Sequence, residues 1–119
     1  MYKNIFDTHA HYEDEQFDCD RDELLSSFPE NGISGVVTCG TDIITSEKSI
    51  ALAEKYPFIY AAVGFHALNL DSLTADWCGD IKKLAAQKKV VAIGEIGLDY
   101  HYENAPRTLQ REAFARQIA

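Results

Sequence analysis

Basic residues are scarce in this sequence of 119 residues. It contains 11 lysines and arginines against 19 aspartates and glutamates, which gives a net charge of -8 and a pI near 4.8. This balance argues against a broad basic surface of the kind that holds nucleic acid by charge alone. If the substrate is a polyanion, a bound metal ion rather than a lysine-rich face must meet its phosphates.

Cysteine and long apolar runs are also in short supply. Cys19, Cys39 and Cys78 are widely spaced and form no Cys-x-x-C pair, which argues against a disulfide framework or a zinc ribbon and favours a reducing compartment. The first residues lack the basic-then-apolar pattern of a signal peptide. No apolar run approaches the roughly 20 residues that cross a bilayer. We therefore expect a cytoplasmic protein with no membrane partner.

What the sequence does contain is an alternation of strand-like and helix-like segments. This alternation predicts a parallel α/β sheet with right-handed crossovers, as in a doubly wound sheet or a TIM barrel. No Gly-x-Gly-x-x-Gly follows the first strand, which weakens the dinucleotide-binding alternative. The predicted strands cover residues 1–8, 34–39, 58–64 and 90–95, and the predicted helices cover about 20–28, 45–56, 73–88 and 108–119.

Two of the predicted helices begin with a capping signal. Asp20, with Glu23 three residues later, resembles a capping box, and Thr108 is expected to cap the last helix. Each of these side-chain oxygens should accept a backbone N–H of the first helical turn. The segments 65–71 and 96–107 are predicted to be loops.

Two histidines close the first predicted strand, in the run Asp-Thr-His-Ala-His. On an extended strand His9 and His11 point to the same side, roughly 7 Å apart at Cα, so both can bind one cation and leave coordination positions open. Glu95 closes the fourth strand, and the carboxyl ends of parallel strands carry the active site in a TIM barrel. We therefore predict a catalytic metal site at His9, His11 and Glu95. The alternative is a solvated strand end, which is the more common meaning of an isolated His-x-His.

Four motifs, in order along the chain, resemble those of the TatD family of metal-dependent deoxyribonucleases. They are Ile-Phe-Asp-Thr-His-Ala-His at 5–11, Gly-Phe-His at 64–66, Gly-Glu-Ile-Gly-Leu-Asp-Tyr at 94–100 and Gln-Arg-Glu-Ala-Phe at 110–114. The resemblance implies an amidohydrolase-like TIM (β/α)8 barrel that hydrolyses phosphodiester bonds in DNA with one or two divalent ions, Mg, Mn or Zn. It implies that His9 and His11 are metal ligands and that Glu95 is a third, bridging two ions where two are bound.

The same resemblance gives roles to residues around the metal. Glu95, His66 and Asp99 would be the catalytic residues, with His66 contacting a phosphate or the attacking water and Asp99 orienting a ligand or water. His66, Tyr100 and His101 would line the substrate groove. For His66 the alternative is a loop histidine bonded to a nearby carbonyl, and for Asp99 it is a carboxylate that caps its own loop.

The sequence departs from the family in two respects. After the His-x-His the family usually has an apolar residue and then Asp or Asn, whereas Tyr12 and Glu13 follow here. The family usually has proline after the histidine that follows the third strand, whereas Ala67 follows His66 here. These changes leave the predicted ligands untouched and alter the groove that selects the substrate. A TIM barrel takes about 250 residues, so residues 1–119 would be a single TatD-like domain truncated after the fourth βα unit, without the later metal ligands. The expected partners are DNA and either a missing C-terminal half or a second copy. The alternatives are an amidohydrolase-type enzyme on a small ester or amide, and an inactive half-barrel that self-associates.

Overall fold

A computed structural model describes residues 2–119. In this part of the chain four parallel strands form one sheet in the order β1-β2-β3-β4, and a helix or helical turn follows every strand. The predicted alternation and the parallel sheet are thus confirmed. The strands are β1 (Ile5–Ala10), β2 (Ile33–Cys39), β3 (Ile59–Val63) and β4 (Val90–Ile93); the helices are α1 (Arg21–Ser26), α2 (Ile43–Lys55), α3 (Trp77–Ala85) and α4 (Arg107–Ile118), with 3-10 turns at Glu15–Phe17 and Ala67–Ser72.

The core lies along the two central strands. Val36 of β2 and Ile59, Ala61 and Val63 of β3 are completely buried, because each of these strands has a strand on both sides and helices pack over them. Ile50 of α2 joins the same cluster. The most deeply buried strand positions are therefore found in the middle of the sheet, as expected for parallel strands covered on both faces.

The outer strands β1 and β4 leave apolar side chains in solvent. Phe6 on β1 is 50% exposed, and Val91 and Ile93 on β4 are 56% and 37% exposed. Both strands are edges of the described sheet, so each has one side without a hydrogen-bonded neighbour. Along residues 2–119 no helix is long and apolar enough to cross a membrane.

The first strand lies later in the chain than predicted. β1 begins at Ile5 and continues to Ala10, so His9 lies within the strand and His11 directly follows it. Met1, where this strand was predicted to begin, lies outside the described residues.

The third helix is shorter than its apolar spacing predicted. Helix α3 begins only at Trp77 and ends at Ala85, and a 3-10 turn occupies part of the predicted loop before it. Leu73 ends that turn with an extended backbone (φ -60°, ψ 128°) and packs against the core from there. Leu73 therefore has the right spacing for the apolar face without belonging to the helix.

One predicted cap is right in position only, and the other is wrong. Asp20 is the N-cap residue of α1, but its side chain makes no capping hydrogen bond. Helix α4 begins at Arg107 with Pro106 as its N-cap, so Thr108 lies inside the helix. A capping box occurs instead at α2, where Asp42 Oδ1 accepts the Thr45 N–H at 2.8 Å and Thr45 Oγ1 accepts the Asp42 N–H at 3.0 Å. Threonine replaces the usual Glu or Gln at the third position, which explains why the sequence pattern did not reveal it.

Candidate metal centre

The segment after β4 carries Glu95 across the ends of the neighbouring strands to the end of β1. The Gly94 N–H donates to Val63 O at 2.9 Å and the Glu95 N–H donates to Gly40 O at 2.7 Å, so the chain is tied first to β3 and then to the residue after β2. A Cβ on Gly40 would lie 2.5 Å from the Ser46 Cα, so glycine is required where these strand ends meet. The strand was predicted to continue to Glu95 but ends at Ile93, because the chain turns here toward β2.

Three ligand-type atoms meet at the carboxyl ends of the strands. His9 Nε2 lies 3.2 Å from His11 Nε2 and 3.2 Å from Glu95 Oε2, and His11 Nε2 lies 3.1 Å from the same oxygen. Ligands that bind one ion at about 2.0–2.2 Å are themselves about 2.8–3.6 Å apart in tetrahedral or octahedral geometry. The three predicted ligands are thus close enough together to bind one divalent cation, and they form the group of this kind found among the described residues.

The hydrogen bonds that His11 makes through Nδ1 leave its Nε2 free to bind a cation. His11 Nδ1 lies 2.8 Å from Cys39 O; a carbonyl oxygen only accepts, so Nδ1 carries the proton and the Nε2 of the neutral ring carries a lone pair. That lone pair faces Glu95 Oε2 at 3.1 Å. Two acceptors at this distance need a proton or a metal ion between them, so the donor chemistry fits a cation site.

A buried carboxylate supports His11 from behind. Glu13 is 5% exposed; its Oε1 lies 3.3 Å from His11 Nδ1, and its Oε2 accepts the Thr38 hydroxyl at 2.6 Å. Carboxylates in this position fix the orientation of a ligating histidine and raise its basicity. Sequence reasoning noted Glu13 only as a departure from the family and missed this contact, for which the acidic residue two positions after His11 was the available signal.

Cys39 contributes its backbone carbonyl rather than its thiol. Burial raises the pKa of the Cys39 thiol to about 11, so the thiol stays protonated at neutral pH. A protonated thiol is a poor ligand and a poor nucleophile, and its sulfur donates weakly to Val37 O at 3.9 Å.

His66 lies on the other side of the Glu95 carboxylate. Its Nδ1 accepts the Leu68 N–H at 3.2 Å, so a neutral ring carries its proton on Nε2, which lies 3.5 Å from Glu95 Oε1. The predicted loop bond is present, although its partner is an N–H rather than a carbonyl. The same ring still presents an N–H at the mouth of the site.

The sequence profile of the family described as TatD related DNase matches residues 6–119. The chain belongs to this family. The resemblance that the four motifs predicted is therefore confirmed, and it extends over nearly the whole chain.

Curated TatD relatives match the chain over nearly its whole length. The uncharacterized metal-dependent hydrolase YabD of Bacillus subtilis (strain 168) is 42% identical over 115 residues, which cover 97% of this chain and 45% of YabD. The 3'-5' ssDNA/RNA exonuclease TatD of Cronobacter sakazakii is 32% identical over 114 residues, which cover 96% of this chain and 43% of that protein. The chain thus spans less than half the length of the curated relatives it matches.

Solved TatD structures have the same fold. The TatD homolog YJJV from Escherichia coli K12 superposes with a TM-score of 0.85 at 28% identity, over 96% of this chain and 45% of that one. A TatD family hydrolase from Entamoeba histolytica gives 0.86 at 23% identity, over 98% and 45%. The predicted fold class is confirmed: the chain has parallel βα units with the fold of the N-terminal half of a TIM barrel.

The TatD motif that follows Glu95 forms a structured loop. Asp99 Oδ1 accepts the N–H groups of His101 at 2.8 Å and Tyr102 at 2.9 Å. These two bonds, the one from Tyr102 first, hold the pKa of Asp99 below its usual range. The loop-capping alternative for Asp99 thus describes its geometry, and along residues 2–119 no hydrogen bond joins it to the three-residue cluster. The Arg107 guanidinium lies over the Tyr100 ring at 4.3 Å, and the catalytic and groove roles of this loop stay predictions.

Proposed function

We propose that the chain supplies the metal site of a TatD-type nuclease that hydrolyses phosphodiester bonds in nucleic acid. The observation that carries the proposal is the triangle of His9, His11 and Glu95 atoms at 3.1–3.2 Å. A relative of this chain is named a 3'-5' ssDNA/RNA exonuclease, which supports nucleic acid as the substrate. DNA is the substrate that the motifs favour, and RNA is the second one to assay.

Each residue of the proposed site has a distinct task. One or two divalent ions, when bound, would polarise the phosphate and supply an activated water. His9 and His11 would hold the cation with neutral nitrogens, and Glu95 would hold it with Oε2. The second Glu95 oxygen, Oε1, faces His66 at 3.5 Å and would serve a second ion where two are bound. His66 Nε2–H would donate to a non-bridging phosphate oxygen.

We also propose that this half of the barrel needs the other half for full activity. The net charge of -8 gives the chain little long-range attraction for a polyanion, so binding would depend on the cation and on groups outside residues 2–119. By the family resemblance, further metal ligands come from later strands of the barrel. The 119-residue chain should therefore bind metal weakly and cleave slowly or not at all.

The test is metal binding by the purified chain, followed by hydrolysis. Manganese titrated by calorimetry should bind the wild type, and Glu95→Ala should lose most of this affinity while circular dichroism stays unchanged. Glu112→Gln, which removes an exposed carboxylate from α4, is the control and should bind as wild type. Unchanged affinity in Glu95→Ala would contradict the assignment.

The hydrolysis assay uses a protein extended to the length of its TatD relatives. Chelator-sensitive cleavage of single-stranded DNA that Glu95→Ala abolishes is the expected result. Turnover of a small ester or amide without cleavage of DNA or RNA would favour the amidohydrolase-type alternative.

A further inference from the structure

Two of the three buried residues of helix α4 carry side-chain amides. Its buried residues are Gln110, Ala113 and Gln117; Gln110 is completely buried and Gln117 is 9% exposed. The two glutamines lie seven residues apart, which is about two helical turns, so they project from the same face.

The Gln117 amide makes two hydrogen bonds to the backbone of Phe65, the residue directly before His66. Its Oε1 accepts the Phe65 N–H at 2.7 Å, and its Nε2 donates to Phe65 O at 3.0 Å. Phe65 is 1% exposed, so water cannot replace these bonds. A Cβ on Gly64 would lie 3.1 Å from Gln117 Oε1 and 2.9 Å from Ile96, so a larger residue there would crowd the approach of the amide.

The Gln110 amide makes hydrogen bonds of the same kind to the backbone of the loop after Glu95. Its Oε1 accepts the Asp99 N–H at 2.8 Å, and its Nε2 donates to Asp99 O at 3.0 Å and to Ala105 O at 2.9 Å. The amide oxygen and the amide nitrogen of Gln110 are therefore both hydrogen-bonded to the backbone, through three bonds in all. Asp99 in turn caps the turn that carries Tyr100 and His101.

We propose that Gln110 and Gln117 are positioning residues through which α4 sets the geometry of the two loops beside the metal site. Gln117 fixes the peptide that orients His66, and Gln110 fixes the Asp99 turn. We call these two sets of amide–backbone hydrogen bonds, Gln117 with Phe65 and Gln110 with the Asp99 turn, the two clamps. They act on separate segments, so each can be removed alone. The inference rests on the proposed function for the roles of His66 and Asp99, while the clamps themselves can be tested without turnover.

The test is hydrogen exchange of single backbone amides, read by NMR in the 119-residue chain. Gln117→Met keeps the size of the side chain and removes both bonds, so exchange at Phe65 should rise at least about tenfold while Asp99 is unchanged. Gln110→Met should produce the reverse pattern. Gln87→Met, at an exposed position after α3, should change neither amide.

Two further measurements separate positioning from simple stability. The ring nitrogen signals of His66 should shift in Gln117→Met and stay fixed in Gln110→Met, and manganese affinity should stay within about threefold of wild type in both, because no metal ligand lies on α4. If Gln117→Met does not fold, Gln117→Glu replaces it. Its protection at Phe65 relative to wild type should recover as the pH falls, because only the protonated carboxyl donates to Phe65 O.

The outcomes are distinct from those of the nuclease assay. Two results would overturn the proposal and leave α4 as ordinary packing. In the first, exchange rises throughout the chain in both methionine variants. In the second, exchange at Phe65 and Asp99 rises in neither variant. Selective exchange at one loop in each variant supports it, even if the extended protein proves to cleave no nucleic acid.

Discussion

Replacing Glu13 with glutamine tests whether the buried carboxylate behind His11 tunes the metal site. The side chain keeps its size, and its amide oxygen can still accept the Thr38 hydroxyl that now donates at 2.6 Å. The amide nitrogen then faces His11 Nδ1, which lies 3.3 Å from Glu13 Oε1 in the wild type. Two donors would meet there, and the polarising charge would be gone.

The expected loss follows from the contacts that remain. Removing the outer partner of a ligating histidine lowers metal affinity about 10–100-fold. The carbonyl of Cys39, 2.8 Å from Nδ1, still holds the ring in the same tautomer. We therefore expect the lower end of the range, about tenfold, or about 1.4 kcal/mol of binding free energy.

The assay is a manganese titration by calorimetry of the wild type, Glu13→Gln and Glu15→Gln. Glu15 is exposed and two residues away, so the control loses the same charge without touching His11, and it should bind within about twofold of wild type. Circular dichroism checks that each variant is folded. Equal affinities for Glu13→Gln and Glu15→Gln would refute the reasoning, since the loss would then come from net charge alone.

Two further predictions concern the loop and the sheet edges. The pKa of Asp99 is lowered in the folded state, so its contribution to the free energy of unfolding is present above its ordinary pKa of about 3.9 and is lost as pH falls through the lowered value. The free energies of unfolding of wild type and Asp99→Asn, measured with urea, should therefore converge as the pH falls below about 4. A difference that widens there would contradict this. Phe6 and Val91 are 50% and 56% exposed on the edge strands, so each forgoes about half of the roughly 1.5–3 kcal/mol that full burial provides. Light scattering should therefore give a mass above the 13.3 kDa of the chain, and Val91→Lys should reduce it. A monodisperse monomer with a sharp melt would favour a self-sufficient domain.

The fold and the cluster of candidate ligands were predictable because their signals are local or periodic. Apolar runs separated by helical spacing predict the order of elements, and His9, His11 and Glu95 each lie at or just past a strand end, where parallel topology brings ends together. Element ends were harder to predict. Leu73 satisfies the helical period although it lies outside α3, because packing against the core does not require a helical backbone.

The supporting residues could not be predicted because their partners are distant in sequence. Gln117 contacts Phe65 across 52 positions, and Glu13 meets Thr38 across 25; no spacing rule links such pairs. A glutamine in a helix is ordinarily a solvated residue. Only the fold shows that the amides of Gln110 and Gln117 are buried and hydrogen-bonded to the backbone.

The position of the candidate ligands links metal binding to folding. His9 and Glu95 are 86 positions apart in sequence, on or next to the first and last strands, so the unfolded chain cannot hold them together without a large loss of entropy. Bringing them together requires closing a long loop, which slows the formation of such contacts, so the site would be complete only once the first and fourth strands both lie in the sheet. An ion at about 100 times its dissociation constant would add about 2.7 kcal/mol to the free energy of unfolding. It would act as a removable cross-link between the ends of the two edge strands, and chelation would remove that added stability while the hydrogen bonds of the sheet remain.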